Sequence, residues 1–179
     1  MSLDALKDGL PGYAKDLALN LTVLAGETAL SEQQKWGSFL ACAHAVGVAE
    51  VVRAFEAAAS AAGLSDDAKD AAKAAAAIMG MNNVYHRAIH LMTEGRYRGM
   101  PARLRMNIIR DPGVGKADFE LYELAVSAIN GCGACLDAHE RALRERHGLP
   151  DLAVQAALRI AAVVNAVSRV TAAEAALAR

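Results

Sequence analysis

Cys132 and Cys135 are separated only by Gly133-Ala134; His139 follows four residues after the second cysteine, and Glu120 stands twelve residues before the first. Thiols, an imidazole and a carboxylate within reach of one another can pass protons and electrons, so the pattern reads as a redox site. If the run from Cys132 to Arg146 is helical, spacings of three and then four line both sulfurs and the imidazole along one helix face. Cys132 is then expected in the first turn, where unpaired N–H groups and the positive end of the helix dipole stabilise a thiolate. On that ground Cys132 is the more acidic thiol.

Glu120 needs a second helix to meet this face. Lys116 to Ile129 supplies one, apolar at Phe119, Tyr122, Val126 and Ile129, and Asn130-Gly131 breaks it. Folded back antiparallel, Glu120 lies roughly 15 Å from the turn and His139 about 12 Å along the other arm, at about 1.5 Å per residue. The two groups end nearly level. A carboxylate beside an imidazole fixes its tautomer and raises its basicity, so a chain from Glu120 to His139 to a thiol can draw off a proton and return it. Glu123, one turn nearer the break, is not excluded by this geometry.

Ordinary explanations stand beside the redox one: two small buried cysteines, a core histidine, a solvated glutamate. Zinc is a sharper rival, with Cys132, Cys135, His139 and Glu120 as four ligands. Structural zinc pairs normally sit on a tight knuckle rather than one helix face, and no second Cys-x-x-Cys follows. A general disulfide reductase of the thioredoxin kind would use the same pair but normally in a βαβ setting, which this sequence lacks. Cys42, inside the apolar stretch Phe39 to Val46, reads as core packing.

The chain has 179 residues, 54% of them hydrophobic and 22% charged, enough apolar material for one sizeable domain over 1–179. A net charge of −1 gives no general attraction for nucleic acid or an anionic membrane. Three cysteines are no disulfide scaffold, and a redox pair is compatible with a reducing compartment. Met1-Ser2-Leu3-Asp4 lacks a basic and apolar leader, charges interrupt the alanine-rich tracts, and a cytoplasmic protein without a membrane span is expected.

Abundant alanine and the lack of alternating β-branched and polar runs indicate an all-α, single-domain helical bundle. Helices are expected over Leu3–Asp8, Tyr13–Leu24, Glu32–Val46, Ala49–Ala62, Asp66–Met79, Asn82–Glu94, Ala102–Ile109, Lys116–Ile129, Cys132–His147 and Pro150–Leu177. Ser31 with Gln34 forms a capping-box pattern, and Ser65 starts another helix. A degenerate duplication is also suggested: Asn83-x3-Arg87 follows Trp36 by 47 residues and Asn165-x3-Arg169 follows Phe119 by 46, with the cysteine pair only in the second copy. Arg96, Arg98, Arg103, Arg105 and Arg110, around Tyr97, read as solvated loop charges or ion pairs across a subunit interface rather than a nucleic-acid surface.

Glu120-x11-Cys132-x2-Cys135-x3-His139, with Arg105-Met106-Asn107-Ile108-Ile109, Ala77-Ile78-Met79-Gly80-Met81-Asn82-Asn83 and Val126-Ser127-Ala128-Ile129-Asn130-Gly131, resembles the AhpD-like, carboxymuconolactone-decarboxylase-related family. The likeness runs from Leu10-Pro11-x-Tyr13 to the last helix. It implies an all-α subunit assembled as a homotrimer, a lipoyl-dependent peroxidase that also reduces the partner peroxiredoxin AhpC. It further implies Cys135 as the attacking thiolate, against the dipole argument, Cys132 as proton donor and resolving thiol, and Glu120 with His139 as the proton relay. No metal or bound cofactor is implied. The reductant would be dihydrolipoamide carried on a lipoylated acyltransferase, and the substrate an alkyl hydroperoxide. Some relatives carry His before the second cysteine, where this chain has Ala134. A decarboxylase of the same fold would not need the thiol pair.

Overall fold

In the computed structural model, which describes residues 1–178, eight α-helices account for most of the chain and no strand occurs among the described residues. They are α1 (Leu3–Asp8), α2 (Lys15–Ala25), α3 (Glu32–Val46), α4 (Ala49–Ala61), α5 (Asp66–Leu91), α6 (Lys116–Asn130), α7 (Gly133–Arg141) and α8 (Asp151–Leu177). The all-α expectation is met.

Helix starts follow the sequence signals. Ser31 Oγ accepts from the Gln34 amide at 3.1 Å, and the Ser31 amide donates to Gln34 Oε1 at 3.1 Å, closing the capping box. Ser65 Oγ accepts from the Ala68 amide at 3.1 Å. Gly47 and Gly131 end α3 and α6 in the left-handed conformation, φ 76° and 65°, where a Cβ is costly.

The long helices α3, α5, α6 and α8 pack on one another around one apolar core, with α7 folded back against α6. Phe39 and Phe55 stack at 4.9 Å between ring centroids. Gly37 lets α3 and α6 close up, because the Tyr122 ring occupies the space its Cβ would need. The Tyr122 hydroxyl donates to the Gln33 carbonyl at 2.9 Å, which fixes that approach. By length and composition α8 is long and apolar enough to cross a membrane. In this fold it lies along α2, α3 and α6, buries Val154, Ile160, Val164 and Val167, and carries Arg159 and Arg169.

Four expected helices differ. Asp66–Met79 and Asn82–Glu94 are one helix, α5, because Gly80 costs only about 1 kcal/mol relative to Ala and the Met79 and Asn83 side chains bury on one face. Ala102–Ile109 is not an α-helix: the segment between α5 and α6 is irregular, with short 3-10 turns at Gly95–Tyr97 and Asn107–Arg110. Its arginines are exposed and give it no apolar stripe to bury. The helix expected over Cys132–His147 starts at Gly133, stops at Arg141 and gives way to a five-residue π-turn, Ala142–Arg146.

Candidate active site

Cys132 is the N-cap of α7 rather than part of its first turn, and Cys135 occupies the third helical position. Cys132 at the N-cap and Cys135 in the first turn both lie at the N-terminal end of α7, so the free N–H groups and the dipole do not choose between them. The two residues are joined by a disulfide, with 5.3 Å between their Cα atoms. Cys132 is fully buried and Cys135 is 5% exposed, so Cys135 is the more accessible residue of the pair.

The strand of chain leading into Cys132 is pinned by a buried polar cluster. Asn83 of α5 is fully buried, donates to Ser127 Oγ at 2.9 Å and accepts from Asn130 Nδ2 at 3.0 Å. Arg87 donates to the Asn130 carbonyl. The Cys132 amide donates to the Ser127 carbonyl at 3.2 Å. Asn83 and Arg87 thus hold the turn that presents the cysteine pair. The sequence showed them as a repeat motif, and this supporting role was not read from it.

His139 is one helical turn beyond Cys135 and 9% exposed. Its Nδ1 lies 2.7 Å from Glu120 Oε1. The expectation that antiparallel α6 and α7 bring these two groups level is thus met by the geometry. With Nδ1 committed to Glu120, Nε2 is the nitrogen left for proton exchange.

Glu123 also faces the imidazole, with Oε2 4.0 Å from Nδ1. It is 1% exposed, and its Oε1 has no hydrogen-bond partner. Burial pushes this carboxyl up to about 7; Glu120 adds to the rise, while His139 and Lys116 oppose it. Cys42, by contrast, is free and fully buried, and burial pushes its thiol well up, out of the reactive range.

Glu120, Glu123 and His139 offer donor atoms within 4.8 Å of one another, a spacing that raises the question of a cation. Two donors on a tetrahedral zinc stand about 3.3 Å apart given zinc–ligand bonds of roughly 2.0–2.1 Å, whereas 2.7 Å between His139 and Glu120 is a hydrogen bond.

A carboxymuconolactone decarboxylase family model matches residues 97–179, the part that carries α6, α7 and α8. Over the whole chain the similarity is closer. The alkyl hydroperoxide reductase AhpD of Hyphomonas neptunium is 64% identical over 178 residues, covering 99% of this chain and 98% of the relative. That of Maricaulis maris is 62% identical, covering 97% and 99%, and that of Caulobacter vibrioides 53% identical, covering 99% and 96%. With identity this high over nearly the full length, and the thiol pair at the start of α7, the chain belongs to the AhpD family.

Proposed function

We propose that this protein is an antioxidant thiol peroxidase that reduces alkyl hydroperoxides through Cys132 and Cys135. The observation that carries the reading is the thiol pair at the start of α7 one turn from His139, itself hydrogen-bonded to Glu120 at 2.7 Å. In the reduced enzyme His139 takes the Cys135 proton, and the thiolate attacks the outer peroxide oxygen. The O–O bond breaks, the alcohol leaves with the proton returned from His139, and Cys135 is left as a sulfenic acid. Cys132 then attacks that sulfur; the S–S bond forms and the hydroxyl leaves as water with the Cys132 proton. Two electrons from the dithiol have reduced one peroxide.

Cys135 suits the attacking role because it sits in the first turn of α7 and is the less buried residue of the pair. Ala134 adds no imidazole, so activation falls to His139 and the helix start. A dihydrolipoamide-type dithiol, carried on a lipoylated acyltransferase protein, is the reductant we assign, and AhpC the partner peroxiredoxin that the pair also reduces. The relatives' name supports the peroxide chemistry. The proposed homotrimer is supported by Val84, Leu91, Met92, Tyr97, Met100 and Ile108, exposed apolar side chains gathered at the end of α5 and in the segment after it. We place the enzyme in the cytoplasm, where such a pair can be kept reduced.

The test is peroxide consumption by the reduced protein with dihydrolipoamide, followed by mass spectrometry of alkylated thiols. One disulfide per turnover between Cys132 and Cys135, with Cys42 still reduced, is expected. Oxidation that spares the pair would overturn the assignment.

A further inference from the structure

Glu123 is a charged residue type in a place built for an apolar one. It is 1% exposed and one helical turn from Glu120, against the same imidazole. Its counterpart 84 residues earlier, Phe39, is fully buried and packs on Phe55, the residue 84 before His139. A phenylalanine fills that slot without any desolvation cost. A carboxyl whose Oε1 has no partner does not, and such a cost is kept where the group acts.

We propose that Glu123 is a positioning residue of the thiol relay, a second carboxyl whose charge acts on the Glu120–His139 pair and sets the pH range over which Cys135 is activated. This rests on the peroxidase reading for its biological meaning. While Glu123 carries its proton, the imidazole faces one carboxylate, Glu120. Once Glu123 ionises, a second negative charge lies 4.0 Å from Nδ1 and stabilises the imidazolium that forms when Cys135 gives up its proton. The proton passes from the Cys135 thiol to His139, and no group outside the site is needed to balance it. The rise of this carboxyl to about 7 through burial places the change in the working range.

Most other charges near α6 are paired or exposed; His86 of α5 is half-buried, edge-on to Tyr85 at 5.3 Å, and His90 is exposed. On α3, Lys35 pairs with Glu32 and His44 with Glu56; on α5, Arg87 holds the Asn130 carbonyl. Arg159 of α8 pairs with Glu27, and Arg144 of the π-turn with Glu140 and Asp151. Asp137 and Arg141 of α7 are exposed. Lys116, Glu120 and His139 remain as the charges acting on Glu123, joined in the reduced protein by the Cys132 and Cys135 thiols.

The experiment compares the reduced wild type with Glu123→Gln and Glu123→Asp. It uses iodoacetamide alkylation of Cys135 against pH, which reads thiolate without peroxide, together with 13C NMR of glutamate carboxyls. One carboxyl titrating near pH 7 in the wild type and missing in Glu123→Gln is expected. Alkylation in Glu123→Gln should lose its step near pH 7 and run about tenfold slower at pH 8, the equivalent of about one pKa unit. Glu123→Asp should recover a step. Three results would each overturn the proposal: no carboxyl titrating above pH 6, an alkylation profile in Glu123→Gln that matches the wild type, or a uniform loss at all pH values that Glu123→Asp does not relieve. If the wild type fails to consume peroxide but the alkylation step depends on Glu123, the function fails and the effect of the Glu123 charge stands.

Discussion

Helices α3, α4 and α5 and helices α6, α7 and α8 form two units of the same order, and the chemistry resides in only one of them. Glu32 and Lys116, which start α3 and α6, are 84 residues apart, as are Val46 and Asn130, which end them, and the left-handed Gly47 and Gly131. In that register Val48 and Val51 stand where Cys132 and Cys135 do, Trp36 and Phe39 where Glu120 and Glu123 do, and Phe55 where His139 does. One unit spends these positions on an aromatic stack, the other on a thiol pair with a carboxylate, an imidazole and a buried carboxyl. The scaffold needs a helix, a left-handed turn and a second helix packed back; it does not need polar side chains there. The Asn-x3-Arg register read from the sequence is not the structural one. Asn83 is buried against Ser127 and Asn130, whereas Asn165 only accepts from Arg169 of its own helix at 3.4 Å.

The comparison breaks most completely at the sulfurs. Writing the first unit's residues into the second, Cys132→Val with Cys135→Val, should leave the helical fold intact by circular dichroism and lower dithiol-dependent peroxide consumption by at least ~10³-fold, since both electrons come from these thiols. Retained turnover would move the chemistry elsewhere. The opposite change tests the first unit: Phe39→Ala should cost about 3–5 kcal/mol in denaturant unfolding, with little change in turnover per folded molecule.

Glu120→Gln or His139→Gln should each slow turnover by about 10²-fold, and the double variant should be little worse than the slower single one, because the two groups act as a unit. Additive losses in stopped-flow rates would show that Glu120 is structural. The smallest effect is expected at Glu123→Leu, which restores the apolar character of the Phe39 position. The Glu123 carboxyl is raised to about 7 in the folded protein, so it stays neutral at low pH and destabilises the fold as pH rises through that value. The variant should therefore be more stable by about 1 kcal/mol at pH 8, a few degrees in Tm, and gain less at pH 5. An equal gain at both pH values would argue that burial does not shift this carboxyl.

Much of this was legible from the residues. Local rules placed most of the helices: the Ser31 capping box, the Ser65 cap and the break at Asn130-Gly131 depend on neighbours in the chain. The same break, with 1.5 Å per residue on either arm, was enough to bring Glu120 level with His139, because an antiparallel pair of helices leaves little freedom. Tertiary contacts decided the rest. Gly80 did not interrupt α5, because packing of Met79 and Asn83 on one face outweighs a single glycine. The arginine-rich stretch after α5 failed to form its helix, because nothing buries it. Cys132 became a cap rather than a first-turn residue, held by the Ser127 carbonyl in a turn that Asn83 and Arg87 secure from another helix. Glu123 shows the division best: its type and spacing said only that it was near. Whether such a carboxyl is solvated or buried, and so whether it holds its proton near neutral pH, depends on which helices close over it, and that no local pattern contains.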